Sequence, residues 1–173
     1  NEKGWSYLTT SQLQTQAIRL LFGTDGCNFA WGRIPIGSSD YAMDRYSLNE
    51  TANDTTMANF SIARDKMRLI PYIKAAQMVK SNIRFWASPW TPPTWMKDGP
   101  FAAGNMPSPF DGGKMKSDGV TLAAFAQYLI AFVRAYAQQG IAIETISPQN
   151  EPGYSGTYPT CGWSPATYTT FLR

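Results

Sequence analysis

The side chains best suited to chemistry in this chain are carboxylates, because imidazoles are absent and thiols are few. The 173 residues include no histidine and two cysteines. A Ser-His-Asp triad, a Cys-His dyad and a His-bearing metal site are therefore excluded within the chain, and two thiolates are too few for a zinc site. Cys27 and Cys161 are left open as a disulfide, two free thiols or one of each. Acid–base work falls to Asp, Glu, Tyr or Lys.

One carboxylate stands apart by its setting. Glu151, in TISPQNEPGY, follows a short apolar run and is held between Asn150 and Pro152. A loop glutamate is ordinarily a solvated charge. Here the amide could bond a substrate hydroxyl and the proline stiffens the turn. A carboxyl acting as general acid on a glycosidic oxygen needs a pKa raised to about 6, through apolar or anionic surroundings. Trp90, Trp95 and Tyr154 could form the apolar wall. A partner carboxylate is also required, ~5–5.5 Å away for retention or ~6.5–9.5 Å for inversion. The one other acidic residue in a comparable context is Asp40, after GRIPIGSS.

Composition agrees with a ligand of this kind. Aromatic residues make up 14% of the chain, with six Trp, and many lie in turn-rich segments where sugar rings could stack on them; the plainer reading is that they fill the core. The apolar fraction of 43% and charged fraction of 16% describe a folding domain. The net charge of +3 comes from scattered basic residues, which gives no nucleic-acid footprint. No apolar run approaches the length of a membrane span, and no signal peptide is visible. The chain opens on NEKGW without an initiator Met, which reads as a processed or truncated start.

Several elements must position these residues. Periodicity predicts a helix over 10–22, a strand over 29–37, a helix over 60–80 interrupted near Pro71, and a strand over 83–88. A further helix over 120–138 is closed by Gly140, a strand covers 141–147, and a last helix starts at Ser164 with Pro165 in its first turn. Residues 38–59 and 89–119 read as loops, the second long enough to suggest function. Helices alternating with strands mean βαβ units and a parallel sheet. The long segments follow strands and the short ones follow helices, as in a barrel that works at its strand C-terminal ends. An open doubly wound sheet is the runner-up, but it would carry a Gly-rich phosphate loop and none is present. The expectation is an α/β fold: a partial (β/α)8 TIM barrel, from about the end of strand 1 to the start of helix 4. Residues 1–173 then form part of one catalytic domain, with the other strands and any β-sandwich elsewhere.

Three stretches make the chain recognisable: GRIPIGSSDY, ASPWTPPTWMK and TISPQNEPGY, in this order and spacing. Together they resemble family 30 of the glycoside hydrolases, which holds glucosylceramidases, endo-β-1,6-glucanases and xylan-active enzymes with retaining mechanisms. The resemblance extends over essentially the whole chain, and NEKGW looks like the loop after the family's first barrel strand. It implies roles by position. Glu151 matches the general acid/base and Asn150 the neighbour that contacts the sugar 2-hydroxyl. Asp40 and Trp90 match the sugar subsite, and Arg33 matches the arginine that organises the catalytic carboxylates. The family's nucleophilic Glu, at the end of strand seven, has no counterpart here. Tyr154, Tyr158 and Trp163 could line the aglycone side.

Each residue also has a plainer reading. Arg33 could be a structural ion pair, Asp40 a turn cap, and Trp90 and Trp95 core aromatics. Asp44 and Glu50 read as solvated charges, and Glu144 as a strand residue paired with an arginine. Asn49, Asn53 and Asn59 begin glycosylation sequons, which matter only in a eukaryotic secretory setting. The implied protein is a monomeric, secreted or extracytoplasmic retaining β-glycosidase, without metal or cofactor, acting on a β-linked glucoside, oligosaccharide or polysaccharide. A non-catalytic sugar-binding barrel and an interaction domain built on the 89–119 loop are the rival readings.

Overall fold

The computed structural model describes residues 1–101 and 108–173. Helices α1 (Glu2–Ser6) and α2 (Ser11–Phe22) lead into strand β1 (Trp31–Ile36). Helices α3 (Ala63–Met67) and α4 (Leu69–Val79) return the chain to β2 (Arg84–Pro89). A hairpin of β3 (Lys97–Phe101) and β4 (Gly112–Met115) follows, then α5 (Gly119–Gln138), β5 (Thr145–Ile146) and α6 (Pro165–Phe171). Strands β1, β2 and β5 form a parallel sheet in that order, with Arg33 opposite Trp86 and Trp86 opposite Thr145. This is the α/β architecture expected of part of a (β/α)8 barrel.

Alternation along the strands separates two faces. Ile34, Ile36, Phe85 and Ala87 are buried in the core together with α5, whose Leu122, Phe125, Tyr128, Leu129, Phe132 and Tyr136 are all buried. Each buried Ile, Leu or Phe among these contributes roughly 1.5–3 kcal/mol. By length and composition α5 could cross a membrane, but this burial marks it as a core helix. The other face carries Trp31, Arg33, Arg84 and Trp86, with the Arg84 guanidinium 4.1 Å from the Trp31 ring centre. A cavity of about 370 Å³ runs beside β1, lined by Phe22, Trp31, Ile34, Tyr72, Phe85 and Trp90 among others.

Local signals explain the boundaries. Thr10, Asp118 and Ser164 accept hydrogen bonds from the backbone N–H three residues on, starting α2, α5 and α6. Gly140, at φ +69°, ends α5 with Ile141 N–H donating to the Tyr136 carbonyl at 3.0 Å, a Schellman arrangement. The break expected near Pro71 falls at Arg68, so that Pro71 is the third residue of α4, where its missing N–H goes unused. NEKGW forms a short helix capped by Asn1 rather than a loop. Part of the 89–119 segment is the β3–β4 hairpin, and residues 102–107 lie outside the described residues.

The 38–59 segment lacks regular structure but is tied down. Asp54 accepts from Asn49 Nδ2, Ala58 N and Asn59 N, at 3.0, 3.1 and 2.7 Å. Asp44 pairs with Arg64, while Glu50 accepts from Ser47 and from the Thr94 N–H and hydroxyl, so neither is a merely solvated charge. Glu144 pairs with Arg84, as its strand position suggests. Asn49 is buried, with its amide bonded to Asp54, and so is withheld from modification in the fold; Asn53 is exposed. Both cysteines are free, Cys27 exposed and Cys161 buried.

Candidate active site

The residues singled out for chemistry meet at the C-terminal end of the sheet. Gly37, at φ +76°, turns the chain out of β1 toward Asp40, which is exposed. From within β1, Arg33 donates from Nη2 to Asn150 Oδ1 at 2.6 Å. Its guanidinium carbon lies 4.6 Å from the ring centre of Trp86 and 4.3 Å from that of Trp90. Cation–π contacts of this kind contribute about 0.5–2 kcal/mol each. Desolvation there lowers the Arg33 pKa, and the charges of Asp40 and Glu151 oppose that shift. Arg33 therefore sits within the field of both carboxylates.

The Glu151 turn is fixed from both sides. Asn150 N–H donates to the Pro89 carbonyl at 2.8 Å, carrying the β2–β5 ladder past the end of β5. Gln149, fully enclosed, donates from Nε2 to the Trp90 and Asn150 carbonyls at 2.7 and 2.9 Å and accepts from Trp163 Nε1 at 3.2 Å. Glu151 itself has φ +48°, the left-handed region that a non-glycine residue enters at a cost of about 1–2 kcal/mol. Its exposed carboxylate accepts at Oε2 from Tyr158 Oη at 2.8 Å and from Asn150 Nδ2 at 3.4 Å. The Tyr158 phenol is pushed up to about 12, by desolvation first and by Glu151 second, and so stays protonated as a donor. Tyr154 stacks on Tyr158 with ring centres 5.7 Å apart.

Sequence reasoning thus assembled Arg33, Asp40, Trp90, Asn150, Glu151 and Tyr154 at one end of the fold, and the structure places them there. Trp163 differs. It is a core residue, packed on Phe125 and Phe171, with its indole N–H bound to Gln149. Trp95 is half-buried and donates to the Asn49 carbonyl at 3.1 Å, fastening the 38–59 segment. Gln149 and Trp86 were missed. The strand register could have pointed to Trp86, directly opposite Arg33. Lys97 was missed too: its buried ammonium donates to Thr91 Oγ1, the Phe110 carbonyl and the Thr160 carbonyl at 2.8, 3.0 and 3.1 Å. Burial depresses its pKa to about 8.

Fold and site together are a partial parallel barrel with a carboxylate on a strained turn beyond a strand, beside an arginine flanked by indoles. Comparison with known proteins gives the family. Residues 7–164 match the glycosyl hydrolase family 30 TIM-barrel domain, and the chain belongs to that family. It is 32% identical to the lysosomal acid glucosylceramidase of Mus musculus over 143 residues, covering 80% of this chain and 26% of that protein. It is 30% identical to the endo-1,6-beta-D-glucanase neg1 of Aspergillus fumigatus over 162 residues, covering 88% of this chain and 33% of that protein. The crystal structure of SrfJ from Salmonella typhimurium superposes with a TM-score of 0.82 at 28% identity, covering 98% of this chain and 37% of that one. The chain spans about a quarter to a third of the length of the curated relatives it matches.

Proposed function

We propose that this chain carries the acid/base half of the active site of a retaining β-glycosidase acting on a β-linked glucoside. The observation that carries the reading is the Arg33–Asn150–Glu151 chain at the end of the sheet, flanked by Trp90. The names of the glucosylceramidase and β-1,6-glucanase relatives favour glucose as the sugar.

In the first step Glu151 gives its proton to the departing glycosidic oxygen while a glutamate outside residues 1–173 bonds to the anomeric carbon. In the second, Glu151 takes a proton from water, whose oxygen displaces that glutamate and releases the sugar. Asn150, oriented by Arg33, bonds a sugar hydroxyl; Asp40 and Trp90 hold the ring; Tyr154 borders the leaving group. With one carboxylate of the pair, residues 1–173 alone are expected to be inactive. The open edges of β1 and β5 are expected to make the isolated segment prone to association.

The test is a β-glucosyl fluorosugar inactivator applied to the full-length protein, with peptide mapping of the label. A single labelled glutamate outside this segment supports the reading. Absence of label on folded protein that nevertheless hydrolyses β-glucosides would overturn the retaining assignment.

A further inference from the structure

The Glu151 carboxylate is held unevenly. Among the described residues, the two donors that reach it, Tyr158 Oη and Asn150 Nδ2, both meet Oε2. Asn150 is already committed through its own oxygen to Arg33 and reaches Glu151 at 3.4 Å, a weak contact. Tyr158, at 2.8 Å, is the strong one. A phenol bound to an ionised carboxylate makes a charge-assisted hydrogen bond, worth roughly twice a neutral one.

Tyr158 is not a chance surface neighbour. The residues after it, Pro159, Thr160 and Cys161, are buried. Pro159 bridges to Asp111, Gly112 N–H donates to Thr160 Oγ1 at 3.0 Å, and Lys97 binds the Thr160 carbonyl. Stacking on Tyr154 steadies the ring from the loop side. The hydroxyl is thus delivered to Glu151 by a backbone anchored on the β3–β4 hairpin.

We infer that Tyr158 is a positioning residue for Glu151: it anchors the carboxylate by Oε2, so that Oε1 carries the proton exchanged with the substrate. The inference rests on the acid/base reading above. In the first step the Oε1–H bond breaks as the proton passes to the leaving oxygen, and the negative charge left on the carboxylate is stabilised by the Tyr158 donor. In the second step Oε1 takes a proton from water. The Tyr158 proton stays on its phenol throughout. A lost donor therefore weakens acid assistance, and only where the leaving group needs assistance.

The experiment compares kcat/KM for dinitrophenyl β-glucoside and for an alkyl β-glucoside in full-length wild type, Tyr158→Phe and Glu151→Gln. For Tyr158→Phe the expected loss is about 10–100-fold on the alkyl substrate and under about threefold on the dinitrophenyl one. The ratio between substrates cancels any change in the folded fraction, so a partly unfolded variant still gives an answer. Equal losses on both substrates, or a wild-type ratio, would overturn the positioning role. Glu151→Gln separates the two ideas. If it shows the split and Tyr158→Phe does not, the inference alone fails; if Glu151→Gln lacks the split, the acid/base reading fails with it.

Discussion

Asp65 and Glu151 are both carboxylates bound by tyrosine hydroxyls, and they differ in what is left unused. Asp65, in α3, is completely buried, with Tyr46 on Oδ1 at 2.7 Å and Tyr136 on Oδ2 at 2.8 Å. Both oxygens are occupied, and its partners come from the 38–59 segment and from α5. Glu151 is exposed, has one oxygen occupied among the described residues and stands on a left-handed backbone. The buried pairing closes a polar group off inside the core, as burial demands. The exposed one leaves an oxygen without a protein donor among the described residues and holds the backbone in a conformation its residue type disfavours.

The sharpest way to break this comparison is to neutralise each carboxylate. Glu151→Gln in the full-length protein should cut turnover of unactivated glucosides ~10²–10⁴-fold, measured by steady-state kinetics, while the melting temperature stays within error. Asp65→Ala should do the reverse. The buried Tyr136 phenol and the half-buried Tyr46 phenol lose their acceptor, so denaturant unfolding should show a loss of about 2–5 kcal/mol, with the leaving-group ratio unchanged.

Asp65 also predicts a pH signature. Burial raises its pKa, and the hydrogen bonds from Tyr46 and Tyr136 oppose that shift. A carboxyl with a raised folded pKa contributes stability that is fully present below its unfolded value of about 4 and is lost as pH rises through the folded value. Unfolding curves of wild type minus Asp65→Asn should therefore slope downward with pH in that window, and a flat difference would remove Asp65 as the source.

Arg33→Lys should cost about tenfold in kcat, because a lysine ammonium cannot reproduce a planar group that lies against Trp86 and Trp90 while donating to Asn150. At the bottom of the scale, Glu144→Gln removes the exposed pair with Arg84 and should leave the melting temperature unchanged.

The sequence carried the frame of the fold and much of the site, for local reasons. Apolar spacing, cap hydroxyls and the Gly140 terminator mark α2, α5 and α6 within a residue or two. Glu151 and Asp40 were legible because each stands a few residues beyond a strand. What stayed hidden depends on partners distant in sequence. The β3–β4 hairpin has little alternating pattern of its own, and one of its anchors is Lys97, bound to Thr160 sixty-three positions away. Tyr136 is one apolar step of α5 by periodicity, yet its hydroxyl serves Asp65, 71 residues earlier. Trp163 reads like a sugar platform because it lies beyond Glu151; its burial against Phe125 is decided by α5. Tyr158 stood among the aromatics after Glu151, but no spacing shows that its hydroxyl turns back to the carboxylate.

The left-handed backbone at residue 151 has an evolutionary reading as well. Glycine and asparagine enter that region more easily than glutamate, so under the acid/base role proposed for Glu151 selection for stability and selection for chemistry pull in opposite directions there. A lineage that abandons hydrolysis is released from the second pressure, and the turn is free to drift toward the residues it prefers. Gly or Asn at the position matching 151, with the Arg33, Trp86 and Trp90 positions retained, would mark barrels that still bind sugar and have stopped cutting it.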